Sequence, residues 1–322
     1  MLSEGMKVAV FVNASAGSAI SVTPDQLERL FRDANISADI VMVRENELEP
    51  ALEQALRHPL DAVIGAGGDG TLSTIAAKLA GTGIPLGVLP LGTCNHFAKD
   101  LGVPMDLAEA VRCIGRCPAQ PVDMGEVNGL LFINNSSIGA YPEIVRERED
   151  QRARIGIPKW LGNITAFLKV LRRWPLMSVR LELDGTSFTR LTPFVFVGNN
   201  EYKFSPGKER MRERLHAGEL CIFTVRLQNF WSLVRLFWLA LRNRLNDARD
   251  FEPYFGRELI IHSHRKHLRV SRDGELCRLQ SPLRYRVRPG ELLVFRPPAG
   301  TTPAAESLDE GHRAHLGPAL RS

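Results

Sequence analysis

Apolar residues in the first third of the chain fall in short unbroken runs, and a stretch of helical spacing follows each run. Residues 7–12 form such a run, closed by Asn13. Over residues 24–34, Leu27, Leu30 and Phe31 share one face. Thr23 is placed as N-cap and Pro24 in the first turn, which predicts a helix. A second strand is predicted at 38–43, then a helix at 48–57 stopped by Pro59, and a third strand at 61–64. The helix predicted at 71–80 meets a stop at Gly81. Residues 85–89 read as a fourth strand, and a further helix starts at 95–101. Apolar strands alternating with helices predict a parallel sheet covered on both faces.

Near Pro121 the texture changes. The runs LLFINNSSIGA, SVRLELDG, TPFVFVGNN, ELCIFTVRL, RELIIHS, KHLRVSRDGELC and RYRVRPGELLVF alternate more and carry more turn residues. They predict antiparallel strands, interrupted by helical pieces at 158–172 and 230–245. From Pro297 the chain is polar and rich in Pro and Gly, and it reads as a disordered tail. The expected division is an α/β unit at 1–122, a mostly β unit at 123–298 and a tail at 299–322.

Composition adds bounds. The 322 residues are 44% hydrophobic and 24% charged, enough apolar material for two cores. A net charge of +5 points to an anionic partner such as phosphate or lipid headgroups. No nucleic-acid recognition motif is present. Five cysteines without paired spacing fit a reducing cytosol. Cys113 and Cys117, four apart, read as free thiols on one helix face, because further ligands at metal-site spacing are missing. The N-terminal segment reads as a strand and not a signal peptide. No apolar run reaches the roughly 18 residues of a membrane span. The expected location is the cytoplasm.

The stretch VIGAGGDGTL, residues 63–72, carries the chemistry. Glycines between a strand and a helix let backbone N–H groups converge and let a ligand come close. The following helix N-terminus favours negative charge. Together they predict a phosphate cradle at the carboxyl edge of the sheet, shared with Asn13 and Thr93, which follow two other strands. LPLGTCN, residues 89–95, repeats the pattern. The loop is neither a Walker A motif nor a dinucleotide fingerprint. Asp69 beside phosphates implies Mg²⁺ between them, or a base near a reacting hydroxyl. The plain alternative is a glycine-rich turn with Asp69 as a helix cap.

GGDGT at 67–71, LPLGTCNHFAKDLG at 89–102, PVDMG at 121–125 and DGE at 273–275 occur in one order. In that order the chain resembles the diacylglycerol kinase catalytic domain family, which includes bacterial soluble lipid kinases and sphingosine and ceramide kinases. The resemblance covers roughly residues 7–297. It implies an NAD kinase- or phosphofructokinase-like α/β domain, a C-terminal β-sandwich and ATP in the cleft between them. It implies that Gly67, Gly68, Asp69, Gly70 and Thr71 hold the triphosphate, with Thr93 and Asn13 beside it. It also implies that Asp123 joins Asp69 in a magnesium network, and that Glu275 is the general base with Asp273 next to it. Without the resemblance, Asp273 and Glu275 read as exposed acids of a hairpin turn. Two positions depart from the family: His96 stands where an aspartate is common, and Ala217 in HAGEL replaces the acid of a structural magnesium site.

A lipid substrate requires contact with a membrane. Residues 229–245 (NFWSLVRLFWLALRNRL) are aromatic-rich and flanked by Arg235, Arg242 and Arg244. They are expected to lie at an anionic membrane surface, to line an acyl pocket, or simply to pack on the β unit. The basic residues Arg146, Arg148, Arg152, Arg154, Arg172 and Arg173 add to such a surface. The expectation is therefore an ATP- and Mg²⁺-dependent lipid kinase, peripheral to the membrane, with homodimer formation open. An NAD kinase-type enzyme, which shares GGDGT, and a non-catalytic lipid or nucleotide sensor are the rivals.

Overall fold

The computed structural model describes residues 5–14, 22–139, 176–202, 212, 214–225 and 251–298. The expected helices at 158–172 and 230–245, the basic residues between 146 and 173, and the tail at 299–322 lie outside them.

Strand β1 (Met6–Asn13) pairs in parallel with β2 (Ile36–Val43) and with β3 (Ala62–Gly67). β3 pairs in parallel with β4 (Leu86–Pro90). All residues of β3 and β4 are buried, as their unbroken apolar sequence requires. Helices α1 (Pro24–Asp33), α2 (Glu45–Ala55), α3 (Asp69–Leu79), α4 (His96–Leu101) and α5 (Leu107–Arg116) accompany these strands. In α1, Thr23 accepts the Gln26 N–H as N-cap, and Leu27 and Phe31 are buried. α2 starts earlier than expected because the Glu47 carboxylate accepts the Arg44 N–H, and it ends before Pro59 is reached. α5 was not anticipated. Its N-cap Asp106 accepts the Glu109 N–H, and Ala110, Val111 and Ile114 face the core. The thiols expected to share a helix face sit at its end: Cys113 donates to Cys117 Sγ at 3.1 Å, and burial pushes the Cys113 thiol up to about 12.

The sheet does not stop at β4. Strand β16 (Leu283–Phe295) lies beside it, with Val294 opposite Leu86 in parallel. The other end of β16 pairs antiparallel with β13 (Glu258–Ser263), which pairs with β8 (Met177–Leu183) and, through it, with β9 (Thr186–Thr192). β16 also pairs with β5 (Ala119–Val127), which carries the short β6 (Leu130–Phe132). One ten-stranded sheet results, parallel at its first end and antiparallel at the other. The boundary drawn at residue 122 falls within β5.

A second, six-stranded antiparallel sheet follows the order β12 (Phe251–Gly256), β11 (Leu220–Val225), β10 (Phe194–Asn199), β7 (Asn135–Gly139), β14 (His267–Arg272), β15 (Glu275–Gln280). Val179, Leu259 and Tyr285 of the first sheet share a core with Ile138, Val197 and Ile222 of the second. This is the expected β-sandwich. Strands β5, β9 and β12 were not foreseen; β9 reads TSFTRLT, with its middle positions half-buried at most, so it lacks a strong apolar alternation.

Candidate active site

β1, β3 and β4 end at one edge of the sheet, where Gly67 faces Pro90 and Ala66 faces Val12. β3 runs three residues beyond the expected Ile64, so the strand itself delivers the glycines to this edge. Thr71 folds back over the strand end. A Cβ on Gly67 would lie 2.7 Å from Thr71 Oγ1, so only glycine fits there. Thr71 Oγ1 accepts a hydrogen bond from Asn13 Nδ2 at 2.9 Å, and Thr71 is buried. Asn13 therefore acts on the loop through Thr71.

The two glycine turns touch. A Cβ on Gly92 would stand 2.4 Å from Gly68 Cα and 2.8 Å from Asn95 Oδ1. Asn95, in the left-handed conformation at φ +52, accepts the Gly92 N–H with Oδ1 and donates to Pro90 O and Gly92 O. Asn95 was not singled out from sequence; an asparagine between a glycine turn and a helix start was the available signal. Asp69 completes the union. Its Oδ2 accepts the His96 N–H at 3.1 Å and its Oδ1 the Phe97 N–H at 2.9 Å. The carboxylate of the first turn thus caps the helix that follows the second. Thr93, Cys94 and His96 stand exposed at the lip. α3 starts at Asp69, and its first-turn amides lack intrahelical acceptors and present positive potential.

This contact makes a sharp test of the edge. Gly92→Ala must separate the turns, an overpacking of about 1–3 kcal/mol. Nucleotide affinity is expected to fall about tenfold or more, read by titration calorimetry with ATP. Unchanged affinity would show that the two turns do not act together.

The opposing wall comes from the β14–β15 hairpin. Asp273 (φ +48) and Gly274 (φ +93) form its two-residue turn, as the DG pair predicts. The two acids of this turn have different surroundings. Asp273 Oδ1 accepts the N–H groups of Asn134 at 2.8 Å and Asn135 at 3.0 Å. Its Oδ2 accepts Ile133 N–H at 2.8 Å and Ser73 Oγ–H at 2.6 Å. Burial raises the Asp273 pKa above the usual carboxylate value, while these four donors pull it the other way. Glu275 is exposed, with Oε1 3.8 Å from the place of a Cβ on Gly70. Its Oε2 accepts Arg272 Nη2 at 3.4 Å, and Arg272 Nη1 is anchored on Leu131 O at 2.8 Å. So Glu275 faces the glycine loop, and Asp273 is occupied by the scaffold.

Asp123 lies deeper. Its carboxylate accepts Gly218 N–H at 2.7 Å and Gly290 N–H at 2.9 Å, and its carbonyl accepts Asn199 Nδ2 at 2.7 Å. It ties the 215–218 segment to the irregularity in β16 between Arg288 and Leu292. Among the described residues, no hydrogen bond joins Asp123 to either glycine turn, and no three His, Cys, Asp or Glu side chains gather as a metal cage. Ala217 brings no carboxylate; its N–H donates to Asn200 Oδ1. The donor set does not fit a structural cation there. At the glycine edge, the single carboxylate of Asp69 fits a cation that arrives with a nucleotide, since Mg²⁺ is commonly held by one or two carboxylates plus substrate phosphates.

A buried group that sequence reasoning missed joins the two halves. Arg212 donates from Nε to Asp100 Oδ2 at 2.7 Å and from its backbone N–H to Oδ1 at 3.1 Å. Its Nη1 reaches Ile133 O and Asn199 O, and its Nη2 reaches Asn134 Oδ1. Tyr202 lies beside the guanidinium, with its hydroxyl on Asn134 O. Asp100 belongs to α4, so the helix behind the second turn is bolted to the loop that holds Asp273.

Comparison with known proteins gives the family. The profile of the diacylglycerol kinase catalytic domain matches residues 7–127. A diacylglycerol kinase of Bacillus subtilis is 30% identical over 237 residues, covering 70% of this chain and 74% of that protein. A diacylglycerol kinase of Staphylococcus haemolyticus is 26% identical over 240 residues, covering 72% and 71%. An uncharacterized protein of Synechocystis is 25% identical over 241 residues, covering 73% of this chain; the chain spans 54% of its length. The crystal structure of a diacylglycerol kinase from Bacillus anthracis superposes with a TM-score of 0.64 at 23% identity, over 92% of this chain and 99% of that one. That likeness concerns the fold.

Proposed function

Because the chain belongs to the diacylglycerol kinase family, we propose that it transfers the γ-phosphoryl group of ATP to the hydroxyl of diacylglycerol or a related lipid. The observation that carries this reading is the approach of Glu275, from the β-sandwich, to Gly70 of the phosphate loop. Phosphoryl transfer depends mainly on positioning and on neutralising charge. The first-turn amides of α3 and the turns at Gly67–Gly70 and Gly92 bind the phosphates, with Thr93 at the lip. Thr71, held by Asn13, keeps the first turn in shape. Glu275 accepts the proton of the lipid hydroxyl at Oε1 as the γ-phosphoryl moves. Asp69 offers the remaining lone pairs of its carboxylate toward the cation. Mg²⁺, when bound with the nucleotide, neutralises charge between the phosphates. Asp273 and Asp123 serve the frame around this reaction.

The enzyme meets its lipid at an anionic membrane surface, on the cytoplasmic side, as a peripheral protein. Among the described residues no helix is long and apolar enough to cross a membrane. The test is incubation with γ-labelled ATP and Mg²⁺ against diacylglycerol, monoacylglycerol, a sphingoid base, ceramide, a polyprenol and NAD. Label in diacylglycerol or a neighbouring lipid is expected. Label in NAD alone, or lipid binding with no labelled product, would overturn the reading.

A further inference from the structure

We infer that Ser73, on α3, is a positioning residue that sets Glu275 over the phosphate loop by holding the β14–β15 turn through Asp273. This inference rests on the kinase reading above. Among the described residues β15 is an edge strand, paired on one side by β14, and Glu275 is its first residue. Exposed turns at a sheet edge are mobile unless tied down. Here three of the four donors to Asp273 come from residues 133–135. Only the fourth, Ser73 Oγ at 2.6 Å, comes from the helix that carries Gly70.

Ser73 stands three residues after Gly70, so the two are neighbours on one helical surface. Asp273 and Glu275 are two residues apart across a tight turn. The Ser73–Asp273 bond therefore closes a short circuit from Gly70 to Ser73, Asp273 and Glu275. The distance between the base and the loop is set inside that circuit. Ser73 is buried, and its hydroxyl turns out of the helix to reach the carboxylate. Thr74, next to it, makes the ordinary back-bond to Gly70 O instead. Ser73 touches no reacting atom in this arrangement.

The test compares the full chain with Ser73→Ala and Ser73→Thr, assayed with ATP, Mg²⁺ and diacylglycerol-containing vesicles. Misplacing a reacting group by a fraction of an ångström to an ångström costs about ten- to a hundredfold. Ser73→Ala is expected to lower kcat by that factor while the KM for ATP stays close to the parent's, the protein staying folded with an unfolding midpoint lowered by the loss of one hydrogen bond to a buried carboxylate. Ser73→Thr keeps the hydroxyl and is expected to recover most of the loss. A Ser73→Ala enzyme with parental kcat overturns the inference, and so does a Thr variant that folds as the parent does yet recovers nothing. If the parent phosphorylates no lipid at all, the kinase reading fails. The tether is then read without turnover, by hydrogen exchange at the amides of Ile133, Asn134 and Asn135. Faster exchange in Ser73→Ala, reversed in Ser73→Thr, supports the tether; equal exchange in all three proteins removes it.

Discussion

Glu275→Gln is expected to slow phosphoryl transfer by about 10²- to 10⁴-fold, the usual contribution of a positioned general base. The substitution keeps size and shape and removes only the ability to accept the proton. Glu275 is exposed and contributes one long contact, to Arg272 at 3.4 Å. The fold should therefore lose little, as surface changes of this kind fall within about 0.5 kcal/mol. ATP affinity is expected to stay near the parent's or to rise, because a negative charge beside the phosphates has gone. The measurement is kcat with a saturating lipid, together with calorimetric titration of ATP. A variant within tenfold of the parent would place the base elsewhere and leave Glu275 as a surface acid. Equal losses in ATP binding and turnover would mean that the carboxylate shapes the nucleotide site instead of acting on the hydroxyl.

Arg212→Met is expected to have the largest effect on stability. Its side chain is 0% exposed and that of Asp100 is 4% exposed, so removing the guanidinium leaves a carboxylate without its counter-ion in the interior. Breaking one partner of such a pair costs about 3–5 kcal/mol. For a chain of this size that corresponds to a fall in Tm of about 10 °C. Ile133 O, Asn199 O and Asn134 Oδ1 each lose the guanidinium N–H at the same moment, and Ile133 O keeps the Asn199 side-chain amide as donor. Asp100→Asn combined with Arg212→Met should cost less than the sum of the single changes, because the charge left behind in the single variant is absent. Thermal unfolding of the four proteins gives the comparison. A loss below about 1 kcal/mol would assign the pair the weight of a surface contact. Because the pair is enclosed, the loss should also depend weakly on salt.

Much of the N-terminal half was legible because its strands are buried on both faces and read as continuous apolar runs. β3 illustrates the limit. The apolar run closes at Ile64, yet Gly65, Ala66 and Gly67 continue the ladder against Val88, Leu89 and Pro90 of β4, although glycine in a strand interior is a weak strand former. α5 carries readable spacing at Ala110, Val111 and Ile114, yet it holds none of the site residues. Within the site, the glycine turns could be read from their own residues, whereas Glu275 was singled out only through the resemblance to the family. What Asp69 and Asp273 do could not be read. Each is an acid beside a glycine, and each is held by amides far along the chain, 27 and 28 residues away for Asp69 and 138 to 140 for Asp273. The same distance hides Arg212, whose acid lies 112 residues before it. Pairings of that range leave no periodic trace in a single chain.

The place of β16 bears on how the protein is made. β4 ends at Pro90, and the strand that covers its free side begins at Leu283, so about two hundred residues separate the two in synthesis. Until that late strand arrives, the nascent α/β layer presents bare backbone donors and acceptors along one rim, the condition under which strands recruit foreign chains. Completion of the early layer therefore waits until β16 has left the ribosome.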